Sequence, residues 1–582
     1  MINPYKTFTM KNTNFKLIAV MLITAGLFAG CGLNKMVRNY DEGVRYTPET
    51  NPLENHGGQV AANVTGAIDE GYFHRKAVVE ITPVLKHAGG EKELETVILR
   101  GSKTTTAGTM VNRDQRSSFN LNNVITFEPD MLASELYVRA KLYKEGNADR
   151  ATILPERKVA DGVINTSQRI KNDHHTSIAP HEYEEEVIIT KTANVYFAYM
   201  RHNLNWRLDL NRQAEAQAKI NEITEFIKRG WELKSVEVDA WASPEGEIAF
   251  NLELSENRAE TGRNYVMNLF RQNNVDLPEL RVGARGEDFD GFMAALNASN
   301  LSDKQTIANV INSQIAPAER ERRIKDMTLI YAEIEKILEP LRRAEITVHA
   351  FEPKRTHEEI ADLAVNNPGE LDEKELLFAA TLTDNMQTQL AIYRSALQLF
   401  PRSYKGFNNA AAILLEMGEL DEAAGFLERA NQIAPGNGHV QNNLGVVAAW
   451  QKDYESALSL FRSAKAQGIS ADYNIGTIQI INGEYQAALS SFSGHTCLAN
   501  VALAQLMAGN QSAAINTLNC APQCRHAAYL KAVIAARNND AQALYNNLRA
   551  AIEFNDNLKN IAADDREFIQ FFGQAEFQNI VR

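Results

Sequence analysis

The sequence predicts a multidomain protein: a β-sandwich-like N-terminal domain, an α+β domain in the middle and an all-α superhelix at the C-terminus. Three observations predict it. Residues 46–183 hold short runs of β-branched residues broken by Gly, Asn and Asp clusters. Residues 184–351 alternate strand-like and helix-like patterns. Residues 370–582 repeat small and large apolar residues at near-constant offsets. At 582 residues the chain is also too long for a single core.

The N-terminus comes first. Lys11 and Lys16 precede the apolar run Leu17–Gly30, which ends in the small pair Ala29-Gly30 before Cys31. A basic region followed by a short apolar run and small residues reads as a secretory signal, here residues 1–30. The run is too short to span a bilayer as a helix. Ala29-Gly30-Cys31 resembles a bacterial lipobox, although Phe28 stands where that pattern prefers a branched aliphatic residue. The resemblance implies cleavage before Cys31 and acylation of its thiol, with chains such as palmitate holding the protein to the outer membrane. The competing reading is a buried helix with a chance cysteine. Residues 31–45 are then a tether. Surface-exported lipoproteins of the Bacteroidota resemble this N-terminus but carry an acidic cluster after the cysteine. Here Gly32-Leu33-Asn34-Lys35 follows and the first acid is Asp41, which favours the periplasmic face over the cell surface.

In residues 46–183, four runs read as strands: Ala77 to Leu85, Thr96 to Leu99, Val124 to Phe127 and Glu135 to Ala140. The turn signal Ala88-Gly89-Gly90 ends the first. Asp173-His174-His175 suggests a metal site only weakly, because adjacent histidines in a polar loop are more often solvated. In residues 184–351, Thr192 to Tyr199 reads as a strand. A helix follows with Ala216, Ile220, Ile223 and Ile227 on one face. Lys234 to Trp241 is a second strand, Ser255 to Arg271 a second helix and Arg342 to His349 a closing strand.

Ala242-Ser243-Pro244-Glu245-Gly246, Asn251, Leu254-Ser255 and Arg258-Ala259, then Gly283-Ala284-Arg285-Gly286 and Leu341 to Ile346, resemble the OmpA C-terminal domain. The resemblance implies an OmpA-like fold that associates with peptidoglycan. In that family an aspartate takes the amine of a diaminopimelate and an arginine takes its carboxylate. The arginine falls on Arg258, whose planar fork suits a carboxylate. The aspartate falls on Ser243, which supplies no charge. Asn251 completes the candidate set. Residues 287–341 form a helical insertion absent from the minimal family domain.

Residues 352–369, with Pro353 and Asn366-Asn367-Pro368-Gly369, read as a linker with room for a short helix. Beyond it Ala423, Leu427 and Ala430 recur as Ala457, Phe461 and Ala464 at an offset of 34, and Tyr393 and Ala396 occupy the same places one period earlier. Ala457 to Ala488 shortens to 31 and Ala488 to Ala514 to 26. This resembles tetratricopeptide repeats, which implies five or six helix pairs and a concave face for a peptide or protein. Gly445 and Gly476 occupy the small helix-contact position. Asn408, Asn409, Asn442, Asn443 and Asn474 recur on first helices, either as ligand contacts or as solvated positions. Cys497, Cys520 and Cys524 allow one disulfide with one thiol left over, or three buried thiols.

The acidic balance, a formal net charge of -13, argues against a nucleic-acid partner. No Gly-x-Ser-x-Gly, His-Glu-x-x-His or paired-cysteine pattern is present, so neither catalytic nor metal residues are assigned and no cofactor is expected. The order of parts resembles envelope lipoproteins of the Bacteroidota. The expectation is a non-enzymatic, outer-membrane-anchored periplasmic scaffold, linking the envelope, with peptidoglycan as the implied ligand, to a protein partner on the repeats. The alternative is a docking subunit of a secretion, fimbrial or outer-membrane assembly complex that does not bind the wall.

Overall fold

In the computed structural model the described residues are 31–582, apart from 88, 245–246, 302–303, 312–315, 317–318, 320–321, 324–325 and 327–330. The signal at 1–30 lies outside them, as do Glu245 and Gly246 of the family motif. The chain divides into two compact units, one of residues up to Ala179 with Phe407–Arg582, the other Pro180–Gly406. This division departs from the linear order of domains expected above. The N-terminal β-rich region and the helical array form one unit, and residues 370–406 group with the middle of the chain.

In the first unit, strands Ala77–His87 and Glu135–Lys144 pair antiparallel from Ala77↔Lys144 to Lys86↔Glu135. They form the centre of a seven-stranded sheet, and two smaller sheets of three and four strands complete the β-rich region. Alternation along Glu135–Lys144 sends Leu136, Val138, Ala140 and Leu142 inward, where they share one core with Val60, Val64, Ile81, Leu85 and Leu121. Residues 31–45 are not an extended tether. They contain the helix Cys31–Arg38, and Met36 and Tyr40 are buried in that same core, because both are large apolar groups placed four residues apart.

The helical part of this unit is a solenoid of antiparallel pairs. Leu420–Ile433 follows Tyr404–Met417, Tyr454–Ala466 follows Gly438–Trp450, and three further pairs run to Phe554. Ala423, Leu427 and Ala430, then Ala457, Phe461 and Ala464, are fully buried, as the repeat pattern requires. A Cβ on Gly445 would lie 2.6 Å from the Phe461 ring, and one on Gly476 would lie 2.6 Å from the Phe492 ring. Each glycine therefore lets the aromatic residue of its partner helix close the pair. Cys497 and Cys520 form a disulfide across the fourth pair, and Cys524 remains a free thiol.

The second unit has a four-stranded sheet in the order Ile188–Tyr196, Arg343–Phe351, Leu233–Ala242, Glu279–Glu287. The last pair is parallel and the others antiparallel. Helices Ala214–Ile227 and Ile248–Gln272 bury Ile220, Ile223, Phe226, Val266 and Phe270 against Val195, Val236, Val238, Ile346 and Val348. The insertion 287–341 has its own small core around Phe292, Leu296, Ile334 and Leu338. Residues 352–369 include the short helix that the sequence left room for. They hold the helix His357–Asn366, started by a Thr356–Glu359 capping box. Arg355 then donates to both oxygens of Glu375 at 2.8 Å, which ties the following helix Glu373–Ala379 to this unit. No helix among the described residues is long and apolar enough to cross a membrane.

Candidate functional site

The first helices of the solenoid pairs carry asparagines at one structural position. Asn409, Asn443, Asn474 and Asn500 are separated by 34, 31 and 26 residues, the same series as Ala423, Ala457, Ala488 and Ala514 on the second helices. The shared series shows that each shortening removes residues from one repeat without moving either landmark off its face. Asn408 and Asn442 precede the first two members. All six are buried, none more than 1% exposed.

A buried primary amide must find partners on both its oxygen and its nitrogen. Here the partners are main-chain groups of residues 171–179, an irregular segment that leaves the β-rich region, turns where the Asp173 N–H donates to the Lys171 carbonyl at 2.9 Å, and runs along the inner helices. The Ser177 N–H donates to Asn443 Oδ1 at 2.7 Å, and Asn443 Nδ2 donates to the Ser177 carbonyl at 2.8 Å. Asn474 makes the same pair with His175 at 2.7 and 2.8 Å, Asn409 with Ala179 at 2.7 and 3.0 Å, and Asn500 with Lys171 at 2.9 and 2.8 Å. Each asparagine thus behaves as one residue of a neighbouring β-strand, taking the N–H and C=O that a single extended residue presents on one side. Asn408 and Asn442 donate to the Ser177 and His175 carbonyls at 2.9 Å and also to the Oδ1 of the next asparagine. These cross-bonds fix the orientation of each amide.

The register skips residue 173. There the Asp173 carboxylate accepts from the Tyr473 hydroxyl at 2.7 Å and from Asn500 Nδ2 at 3.2 Å. Burial, with the carboxylate beside it, raises the Tyr473 pKa. The His175 ring stacks on Tyr473 with centroids 4.2 Å apart. His174 packs near Phe461, and burial lowers its pKa to about 4, so it is neutral at neutral pH. At the N-terminal end of the segment, Arg169 pairs with the buried Asp565 and lies over the Tyr529 ring at 4.1 Å. Tyr529 donates to the same carboxylate at 2.7 Å. The segment around His174-His175 is therefore not the solvated polar loop expected from sequence, because the inner helices offer its main chain an alternative to water. Among the described residues no cluster of His, Cys, Asp and Glu could hold a metal ion.

The candidates from the middle of the chain also come together, at the end of strand Leu233–Ala242 and the start of helix Ile248–Gln272. Arg258 is fully buried. Its Nε donates to the Arg201 carbonyl at 3.0 Å, Nη1 to the Trp241 carbonyl at 2.8 Å and Nη2 to the Ala198 carbonyl at 3.4 Å. Ser243 Oγ accepts from Arg342 Nε at 3.2 Å, and Asn251 Nδ2 donates to Glu287 at 2.7 Å. Arg342 also pairs with Glu335 of the insertion at 2.7 Å. The arginine that the resemblance assigns to a ligand carboxylate thus directs donors from all three of its nitrogens to main-chain carbonyls.

Sequence reasoning had marked five of the six asparagines. It missed Asn500, which the 26-residue offset from Asn474 would have found. It also missed what the ladder holds, since nothing local to residues 169–179 announces a partner hundreds of residues away.

A tetratricopeptide repeat family model matches residues 414–473, which covers the second to fourth helices of the solenoid. No curated protein matches the chain. Among solved structures, the chain is similar to pilF of Pseudomonas aeruginosa at 16% identity, over 39% of this chain and 98% of that one, with a TM-score of 0.28. It is similar to PilW, a type IV pilus biogenesis factor, at 16% identity over 40% and 100%, with a TM-score of 0.27. A tetratricopeptide repeat protein from Parabacteroides merdae gives 15% identity over 37% and 91%, with a TM-score of 0.29. TM-scores this low carry no argument about this chain. The helical array is of the tetratricopeptide type, a fold suited to protein–protein scaffolds.

Proposed function

We propose that this protein is a non-catalytic, protein-binding scaffold of the bacterial envelope, acylated at Cys31 and held on the periplasmic face of the outer membrane. The observation that carries the binding role is the asparagine ladder, a built surface that reads an extended polypeptide main chain. The anchor rests on the lipobox resemblance. Cells fed an alkyne-tagged fatty acid should label the wild type and leave Cys31→Ser unlabelled and released from the membrane fraction. Equal labelling of both would remove the anchor.

On this reading the middle region is an OmpA-like domain, for which the four-stranded sheet, its two helices and the position of Arg258 offer support. Its contact with peptidoglycan is the finer part of the proposal. A second reading, a docking subunit of a secretion, fimbrial or outer-membrane assembly complex without wall binding, is favoured by Ser243 in the aspartate's place. The placement of Arg258 donors on main-chain carbonyls favours it too. Retention of the wild-type protein on purified sacculi, and its release by free diaminopimelate, separates the two. Retention with release supports the wall contact, and absence of retention supports docking alone.

A further inference from the structure

The inner face of the solenoid is filled by this chain's own residues, and the way it is filled states what else would fit. Recognition runs through the main chain at every second residue over 175, 177 and 179, and again at 171. Side chains add to it: Thr176 donates to Glu416 and Ser177 Oγ meets His439 Nδ1, both at 2.8 Å, beside the Asp173 and His175 contacts with Tyr473. Ile178 is 39% exposed, His175 and Asn172 are exposed, and only Ala179 is fully enclosed. The N-terminal end is held differently, by the side-chain pairs Arg169–Asp565 and Thr166–Glu567, the latter at 2.6 Å.

We propose that residues 169–179 are a resident strap, an intramolecular ligand that closes the inner face of the solenoid to other polypeptides. The class of ligand that the closed site takes is an extended polypeptide segment. It needs free N–H groups at the positions of 175, 177 and 179 and a small residue at the position of Ala179, with polar side chains at 173, 176 and 177 adding to the main-chain contacts. A proline is tolerated just after the last read position, where this chain has Pro180. Because the strap is covalently attached, its effective concentration at the ladder is on the order of millimolar or higher. An outside segment therefore competes only after the strap is weakened. This inference rests on the binding role proposed above for the array, but not on the lipid anchor or the wall contact.

The test uses a fluorescent synthetic peptide of residues 168–181 and the full chain. Replacing His175, Ser177 and Ala179 together by proline, which removes all three read N–H groups, should open the ladder, so that the peptide binds at least ~100-fold more tightly than to the wild type. N-methylation of the peptide at Ser177 or Ala179 should weaken binding at least ~10-fold, because each methyl removes a read donor. N-methylation at Thr176 or Ile178 should change it less than ~3-fold. Ser177→Pro, which removes one read N–H and leaves the rest of the strap in place, supplies the same comparison if the triple replacement does not melt cooperatively. Equal binding to wild type and opened chain would overturn the strap. Failure of a folded, opened chain to bind the peptide, or equal effects of all four N-methyl groups, would overturn the ladder as a main-chain reader. Neither result would bear on acylation or on retention by sacculi.

Discussion

The asparagine ladder and the Arg258 cluster are both polar and buried, and both are met by main-chain groups of this same chain. They differ in where those groups come from. Arg258 reaches carbonyls 17, 57 and 60 residues away, all within its own α+β unit. The asparagines reach residues 230 to 329 positions away, in a segment with no regular structure that arrives from the β-rich region. An arginine closed by its own domain is part of that domain's framework. On the proposal made above, an asparagine row closed by a distant segment is a binding surface already occupied. Burial and saturation do not distinguish the two, and only perturbing each one does.

The comparison can be broken most sharply at Arg258. If it belongs to the framework, Arg258→Ala leaves three part-buried carbonyls short of a donor and a cavity besides, and should lower unfolding stability by about 3 kcal/mol or more. Arg258→Lys should recover little, since one ammonium cannot reach all three carbonyls. Chemical denaturation would show this. A near-neutral Arg258→Ala would mean the side chain is held ready for a ligand. Next in size is the disulfide of the fourth helix pair. Its loop spans 23 residues, so Cys497→Ser should cost about 3 kcal/mol, with the loss mirrored by reductant. Smaller again is the ladder. Asn443→Ala removes one reading residue and leaves the Ser177 amide and carbonyl unmet, for about 1–3 kcal/mol. That loss should appear in strap protection before it appears in global melting.

The last effect is set by pH. Burial holds His174 at about 4, below the ordinary imidazole value near 6.5, with Asp173 opposing the shift and His175 adding to it. The unfolded chain therefore takes the proton first. Stability from this group is intact above about pH 6.5 and falls as the pH drops towards 4. His174→Phe should flatten that part of the profile. An unchanged profile would remove His174 from the account.

How much of this was legible beforehand follows the same division. Helical packing repeats along the chain, so Ala423, Ala457, Ala488 and Ala514 announce the solenoid, and the same offsets carry the asparagines with them. The strands at Ala77–His87 and Glu135–Lys144 were legible because alternation is local. The strap was not. Its repeated contacts run through the main chain, which every residue type possesses, and its polar side chains at 173, 176 and 177 read from sequence as those of any solvated loop. The helix Cys31–Arg38 was hidden by reading the segment after a lipobox as a tether. Arg258 was found in the right neighbourhood, but a motif gives a residue's address and not the direction of its donors.

The central claim is that the ladder holds the chain's own segment in one register. Residue-resolved hydrogen exchange on the wild-type protein tests it most directly. The account predicts slow exchange at the Ser177 and Ala179 amides, ordinary loop rates at Thr176 and Ile178, and at least a ~10-fold acceleration at Ser177 in Asn443→Ala with the solenoid helices unchanged. Uniformly fast exchange from 175 to 179 in the wild type would contradict it.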